Sequence, residues 1–133
     1  MPAEENMALV RRLYDAQTKG DLHAMRELLT PNFDNHGMAP GQDEPGCEGY
    51  IRSIAVVHGA FSDIRYIIEE QMAAEGDKVV ALGNYQWRVK ANGREFGGDF
   101  AHVWTIRDGK ATEFQEYMDT AVGVSAHQKA MSA

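Results

Sequence analysis

Near residue 62 the hydrophobic pattern changes its period, and that change limits the folds open to the chain. Before it, apolar residues step by three and four, as on one face of a helix; after it, they alternate, as on one face of a strand. Turn signals cut the alternating half at Glu75-Gly76-Asp77, Ala91-Asn92-Gly93 and Arg107-Asp108-Gly109. Asn-Gly and Asp-Gly are strong hairpin dipeptides, so four strands are expected, at about 63–74, 78–91, 94–107 and 110–120, joined in an antiparallel meander. In the first half, Met7, Val10, Leu13, Tyr14 and Gln17 mark a helix stopped by Gly20. Asp21 stands at an N-cap position before the short stripe Leu22, Met25, Leu28 and Leu29, which ends before Thr30-Pro31. Residues 37–49, rich in glycine, proline and acids, read as a loop, and Tyr50, Ile51, Ile54, Val57, His58 and Phe61 mark a third helix. Helices followed by strands give an α+β order, and Gly83 and Gly97-Gly98 inside strands predict bulges or bends. The expected architecture is one domain over residues 1–133: three N-terminal helices packed on a strongly curved antiparallel sheet, forming a cone-shaped α+β barrel.

Thirteen basic against 20 acidic residues give a formal charge of -7, with the basic side chains scattered singly. This argues against a chain built to grip nucleic acid or an anionic membrane. No apolar run reaches the roughly 20 residues of a membrane span, and the acidic start Met-Pro-Ala-Glu-Glu-Asn does not resemble a signal peptide, so a cytoplasmic location is expected. The single cysteine, Cys47, excludes an internal disulfide, and no spaced ligand set or phosphate-binding glycine loop implies a metal or a cofactor.

The hairpins also predict which residues share a face. A two-residue Asn92-Gly93 turn would set Val79 opposite Ile106, Ala81 opposite Trp104, Gly83 opposite His102 and Tyr85 opposite Phe100. A three-residue loop with Gly109 in the left-handed position would place His102 beside Phe114 with Glu116 on the same face. A two-residue Gly76-Asp77 turn would add Ile64, Tyr66, Ile68, Glu70 and Met72, with Glu70 opposite Gly83. The result is an apolar wall carrying Glu70, His102 and Glu116, beside a glycine position without a side chain. Buried without partners, such groups would cost roughly 2–7 kcal/mol each or more. They must therefore pair with one another or meet a ligand or water.

Two readings of His102 and Glu116 stay open at this point, a buried ion pair and an acid/base site. Tyr14 reads as core, with a hydroxyl that needs a partner if it points inward. Tyr85, Trp87, Phe100, Trp104, Phe114 and Met118 read as wall residues, and His36, in the polar stretch Asn32-Phe33-Asp34-Asn35-His36, as pocket rim or surface loop. His23, His58 and His127 read as solvated or structural. Cys47, in the predicted loop, has no basic neighbour in sequence to make it a nucleophile.

From Leu9-Val10-Arg11-Arg12-Leu13-Tyr14 and Lys19-Gly20-Asp21-Leu22 through Ala74-Glu75-Gly76-Asp77-Lys78-Val79-Val80 to Phe100-Ala101-His102-Val103-Trp104-Thr105-Ile106 and Glu116-Tyr117-Met118-Asp119, the chain resembles the nuclear transport factor 2-like superfamily. Within it, the chain resembles in particular the ketosteroid-isomerase-related and SnoaL-like polyketide-cyclase branches. The resemblance implies a cone-shaped cavity for a small apolar organic ligand, and a homodimer formed through the outer sheet face. SnoaL-like cyclases carry a His on the third long strand and an acid fourteen residues later as an acid/base pair for aldol closure, and His102 and Glu116 match those positions. His36 matches a His often seen after the second helix of that branch. Limonene-type epoxide hydrolases need an Arg and an Asp two residues apart, where this chain has Asp99 and Ala101. Ketosteroid isomerase needs a strand acid where His102 stands.

The resemblance therefore implies a cofactor-free acid/base enzyme, of isomerase or cyclase type, acting on an apolar carbonyl compound. Glu116 and His102 would be catalytic, and Tyr14, His36, Glu70, Tyr85, Trp87, Phe100, Trp104, Phe114 and Met118 would line the ligand site. The alternatives are a non-catalytic ligand-binding module of the same fold or an epoxide-hydrolase-like enzyme.

Overall fold

A computed structural model of the chain describes residues 2–36, 45–73 and 76–118. Three helices, α1 (Pro2–Lys19), α2 (Leu22–Leu28) and α3 (Gly46–Ala60), pack on a curved five-stranded sheet of β1 (Leu29–His36), β2 (Phe61–Ala73), β3 (Lys78–Val89), β4 (Glu95–Arg107) and β5 (Lys110–Met118). The strand order is β1-β5-β4-β3-β2, so the sheet is open, with β1 and β2 at its edges, and not a closed barrel. The predicted helices and the meander are present, but β1 runs parallel to β5 and makes the sheet mixed. No helix among the described residues is long and apolar enough to cross a membrane.

The join between α1 and α2 follows from two residues. Gly20 takes a φ of +71°, Asp21 N–H donates to Ala16 O at 2.9 Å and Gly20 N–H to Gln17 O at 3.3 Å, a Schellman closure of α1. The Asp21 side chain then accepts from Ala24 N–H at 3.1 Å and starts α2. His58 donates from Nε2 to the same Gln17 carbonyl at 2.7 Å, which gives that histidine a structural part. Helix α3 begins at Gly46, inside the stretch read as loop, so Cys47 lies in its first turn and is buried, and burial pushes its thiol pKa up. Arg26 holds Glu48, also in that turn, through two bonds of 2.9 and 3.0 Å, although both side chains are exposed and the pair adds little stability.

Between helices and sheet, Val10, Leu13, Met25, Leu29, Phe33, Val79, Trp104 and Ile106 form the fully buried centre of the core. Leu29 and Phe33 explain β1. Its inner face supplies two large apolar residues, while Pro31 is tolerated because the strand lies at an edge.

Each hairpin departs from the expected register in a way that decides which residues share the inner face. The β3–β4 hairpin closes through a four-residue turn, with Val89 N–H donating to Arg94 O at 2.8 Å, in place of a two-residue Asn92-Gly93 turn. Pairing therefore shifts by two: Ala81 meets His102 and Gly83 meets Phe100, and every residue keeps its face. The β4–β5 turn is two residues long, with Asp108 and Gly109 both at positive φ, as a type I′ turn requires. That turn alone would misalign the faces. A bulge at residue 112 restores them and sets Glu116 directly opposite His102.

The third hairpin overturns an expectation. A register shift between Ile68 and Glu70 turns Glu70 to the outer face, opposite Leu82, where it is exposed. Met72 follows it outward, and Gln71 turns inward to donate to Met7 O at 3.3 Å. Gly83 is not an empty pocket position. A Cβ there would lie 2.0 Å from the carbonyl oxygen of Ile67, so glycine is what lets the irregular part of β2 approach β3.

Candidate functional site

Four side chains from three elements meet under the helices. Trp104 and His102 project from the inner face of β4, Glu116 from β5 and Tyr14 from the buried stripe of α1. Trp104 Nε1 donates to the Tyr14 hydroxyl at 3.0 Å, that hydroxyl lies 2.6 Å from His102 Nδ1, and His102 Nε2 lies 2.9 Å from Glu116 Oε2. His102 is 3% exposed and Glu116 9%.

Donor chemistry and burial together set the direction of the chain. An indole N–H can only donate, so the tyrosine oxygen accepts from Trp104; with His102 held neutral by burial and Nε2–H turned to an ionised Glu116, the tyrosine hydrogen goes to Nδ1. Nδ1 is then the acceptor nitrogen of a neutral imidazole, the proton sits on Nε2, and Nε2–H donates to the Glu116 carboxylate. Burial lowers the His102 pKa, against the opposing pull of Glu116.

Aromatic rings hold this relay in place. Phe100 stacks on His102 with centroids 3.9 Å apart, Phe114 meets its edge at 4.7 Å, and Trp104 packs on Phe114 at 4.4 Å. Tyr14, Tyr50 and Tyr66 are all pushed up in pKa by burial, with the charge of Glu116 adding to the effect. One carboxylate therefore sits among three phenols that stay protonated.

The lowered pKa of His102 sets a pH dependence. Below its ordinary value, about 6.5, the unfolded chain binds a proton that the folded chain resists. Stability is therefore complete above that value and falls as the pH drops from there toward the folded pKa. Urea titrations between neutral and mildly acidic pH should show wild type losing stability more steeply than His102→Gln. Equal slopes would mean that His102 is not held neutral.

Of the residues expected to line the site, Tyr85, Phe100, Trp104 and Phe114 are buried on the inner face, and Trp87 and Met118 are half-buried there. Trp87 packs at 5.0 Å from Phe61 and 5.4 Å from Tyr85, at the end of the sheet away from Trp104. Glu70 and His36 do not join them. His36 lies on the outer face of β1, exposed and 3.0 Å from Asp34, because parallel pairing of β1 with β5 turns Phe33 and not its neighbours inward. His23 pairs with Glu27 on the surface of α2, and His127 lies outside the described residues. Tyr50, expected only as a marker of the third helix, and Tyr66, expected on the apolar wall but not among the site residues, also feel the charge of Glu116.

A separate groove of about 810 Å³ opens on the outer side, lined in part by Asp34, Lys78, Thr105, Arg107 and Glu113. None of the four relay residues lines it.

Residues 10–114 match the family model described as a SnoaL-like domain. A protein of unknown function from Burkholderia pseudomallei, described as ntf2-like, shares 25% identity and a TM-score of 0.77, with 97% of this chain and 98% of that chain covered. A candidate SnoaL-like polyketide cyclase from Jannaschia sp. CCS1 shares 23% identity and a TM-score of 0.78, over 98% and 94% of the two chains. IdmH, a candidate polyketide cyclase from Streptomyces antibioticus, shares 21% identity and a TM-score of 0.79, over 92% and 98%. No curated protein matches the chain. The helices on a curved open sheet are thus a fold shared with these proteins, and with the match running from α1 into β5 the chain belongs to the SnoaL-like domain family.

Proposed function

We propose that the chain is an acid/base enzyme of isomerase or cyclase type that acts on a small apolar carbonyl compound, with Glu116 as the base. The hydrogen-bond chain carries this reading: it starts at an indole, passes through a phenol and a neutral imidazole, and ends on one carboxylate whose orientation it holds. The likeness to candidate polyketide cyclases supports it. Glu116 would take a proton from the carbon next to a carbonyl, leaving the electron pair as an enolate. In a cyclase the enolate carbon then bonds to a second carbonyl carbon of the same molecule, and the Glu116 acid returns its proton to the new alkoxide. In an isomerase the proton returns to a different carbon. In both cases atoms balance with no other reactant, and His102 Nε2–H keeps the carboxylate aimed.

The test needs no knowledge of the natural substrate. Hydrogens α to the carbonyl of 2-tetralone, an apolar bicyclic ketone, should exchange in D2O faster with the protein than in buffer, and the rate should saturate. A second reading, a ligand-binding module, is favoured by the depth of His102 and Glu116. It would be supported by no exchange together with saturable thermal stabilisation by the same ketone.

The outer sheet face supports a homodimer. Val80, Leu82 and Val103 are half-buried there beside Ile67 and Tyr117, which are exposed, in a mixed surface suited to a second copy. Light scattering at micromolar concentration should give twice the chain mass, and a monomer would refute the dimer.

A further inference from the structure

We propose that Asp34, His36 and Glu113 form a binding site for a divalent transition-metal ion, separate from the Glu116 relay. Each offers one ligand atom, and the three atoms lie within 4.8 Å of one another. Among the described residues they are the one such trio of His, Cys, Asp and Glu side chains. Ligand atoms bound to one ion at about 2.0–2.2 Å can stand up to about 4.4 Å apart. A small rotation of exposed side chains closes the remaining difference.

The backbone builds the trio. Asp34 and His36 are two residues apart on β1 and so project to the same side, and parallel pairing sets Asp34 directly opposite Glu113 on β5. Two carboxylates facing each other across a strand pair repel. His36 Nε2 at 3.0 Å from Asp34 and Lys78 at 3.5 Å from Glu113 relieve this only in part, since Lys78 also donates to Thr105 at 2.6 Å. A dication between the carboxylates would neutralise both charges. The adjoining groove, lined by Asn32, Thr105 and Thr112 as well as the two acids, has room for waters to complete the coordination.

One imidazole with two carboxylates suits Zn²⁺, Ni²⁺, Co²⁺ or Mn²⁺ better than Mg²⁺ or Ca²⁺, which prefer oxygen alone. Where it binds, the ion would tie edge strand β1 to β5 next to the register irregularities on both sides of β5, three residues before Glu116. It would thus brace the strand that carries the proposed base without touching the reacting groups.

Calorimetric titration of the folded protein with ZnCl2 tests this. The expected result is one ion per chain, with saturable binding at about pH 7.5. His36→Ala and Glu113→Gln should each weaken binding about tenfold or more, as loss of a direct ligand requires. His23→Ala, which removes a second exposed His–carboxylate pair among the described residues, should leave binding unchanged. All three positions are on the surface, so melting curves should show the variants folded. Absence of binding, or binding that survives His36→Ala and Glu113→Gln, overturns the site.

Discussion

Tyr14→Phe should lower the free energy of unfolding by about 2–6 kcal/mol, because one hydroxyl serves two buried groups and each orphaned group costs about 1–3 kcal/mol. Without that oxygen, Trp104 Nε1–H loses its acceptor and His102 Nδ1 loses its donor. Trp104 is wholly buried and His102 nearly so, so bulk water does not reach either. Packing barely changes, since phenylalanine keeps the ring beside Phe100 and His102. Trp104→Phe should cost less for its polar part, because it removes donor and need together. The double variant should therefore be less destabilised than the two singles added. Urea unfolding of the four proteins measures this. A loss below about 1 kcal/mol for Tyr14→Phe would show that Trp104 and His102 find other partners and that the relay is not a unit.

The relay also marks where sequence reasoning succeeds and where it stops. Alternation and turn dipeptides were enough to place His102 and Glu116 on one face, because both lie on strands joined by a short hairpin. Even so, the turn length was wrong and a bulge at residue 112 supplied the compensation, which no periodicity reveals. At β2 a comparable irregularity had no such compensation, and Glu70 went to the other side. Strand β1 was missed because its partner is β5, far away in sequence, and a parallel edge strand with a proline and mostly polar residues carries no local signature. That omission hid two consequences, the outward turn of His36 and its meeting with Glu113. The Tyr14 to His102 bond joins a helix to a strand 88 positions away, so the sequence could say only that the hydroxyl needs a partner.

Glu116→Gln should reduce α-hydrogen exchange of 2-tetralone by about 10²–10⁴-fold, the range over which a positioned general base contributes. The substitution is nearly isosteric, and the amide oxygen can still accept from His102 Nε2–H, so the relay keeps its direction and the chain should fold. What is lost is the ability to take a proton, since an amide is not a base near neutral pH. Glu116→Asp separates chemistry from packing: it keeps a carboxylate but withdraws it by one methylene from both His102 and ligand, so exchange should fall while remaining above that of the Gln variant. His102→Gln should act differently from either, leaving the base in place but loosening its aim, and exchange should fall without vanishing. If Glu116→Gln exchanges the ketone as fast as wild type, the base lies elsewhere. The chain from Trp104 to Glu116 is then a device for satisfying polar groups within an aromatic core, and the binding-module reading gains the ground that catalysis loses.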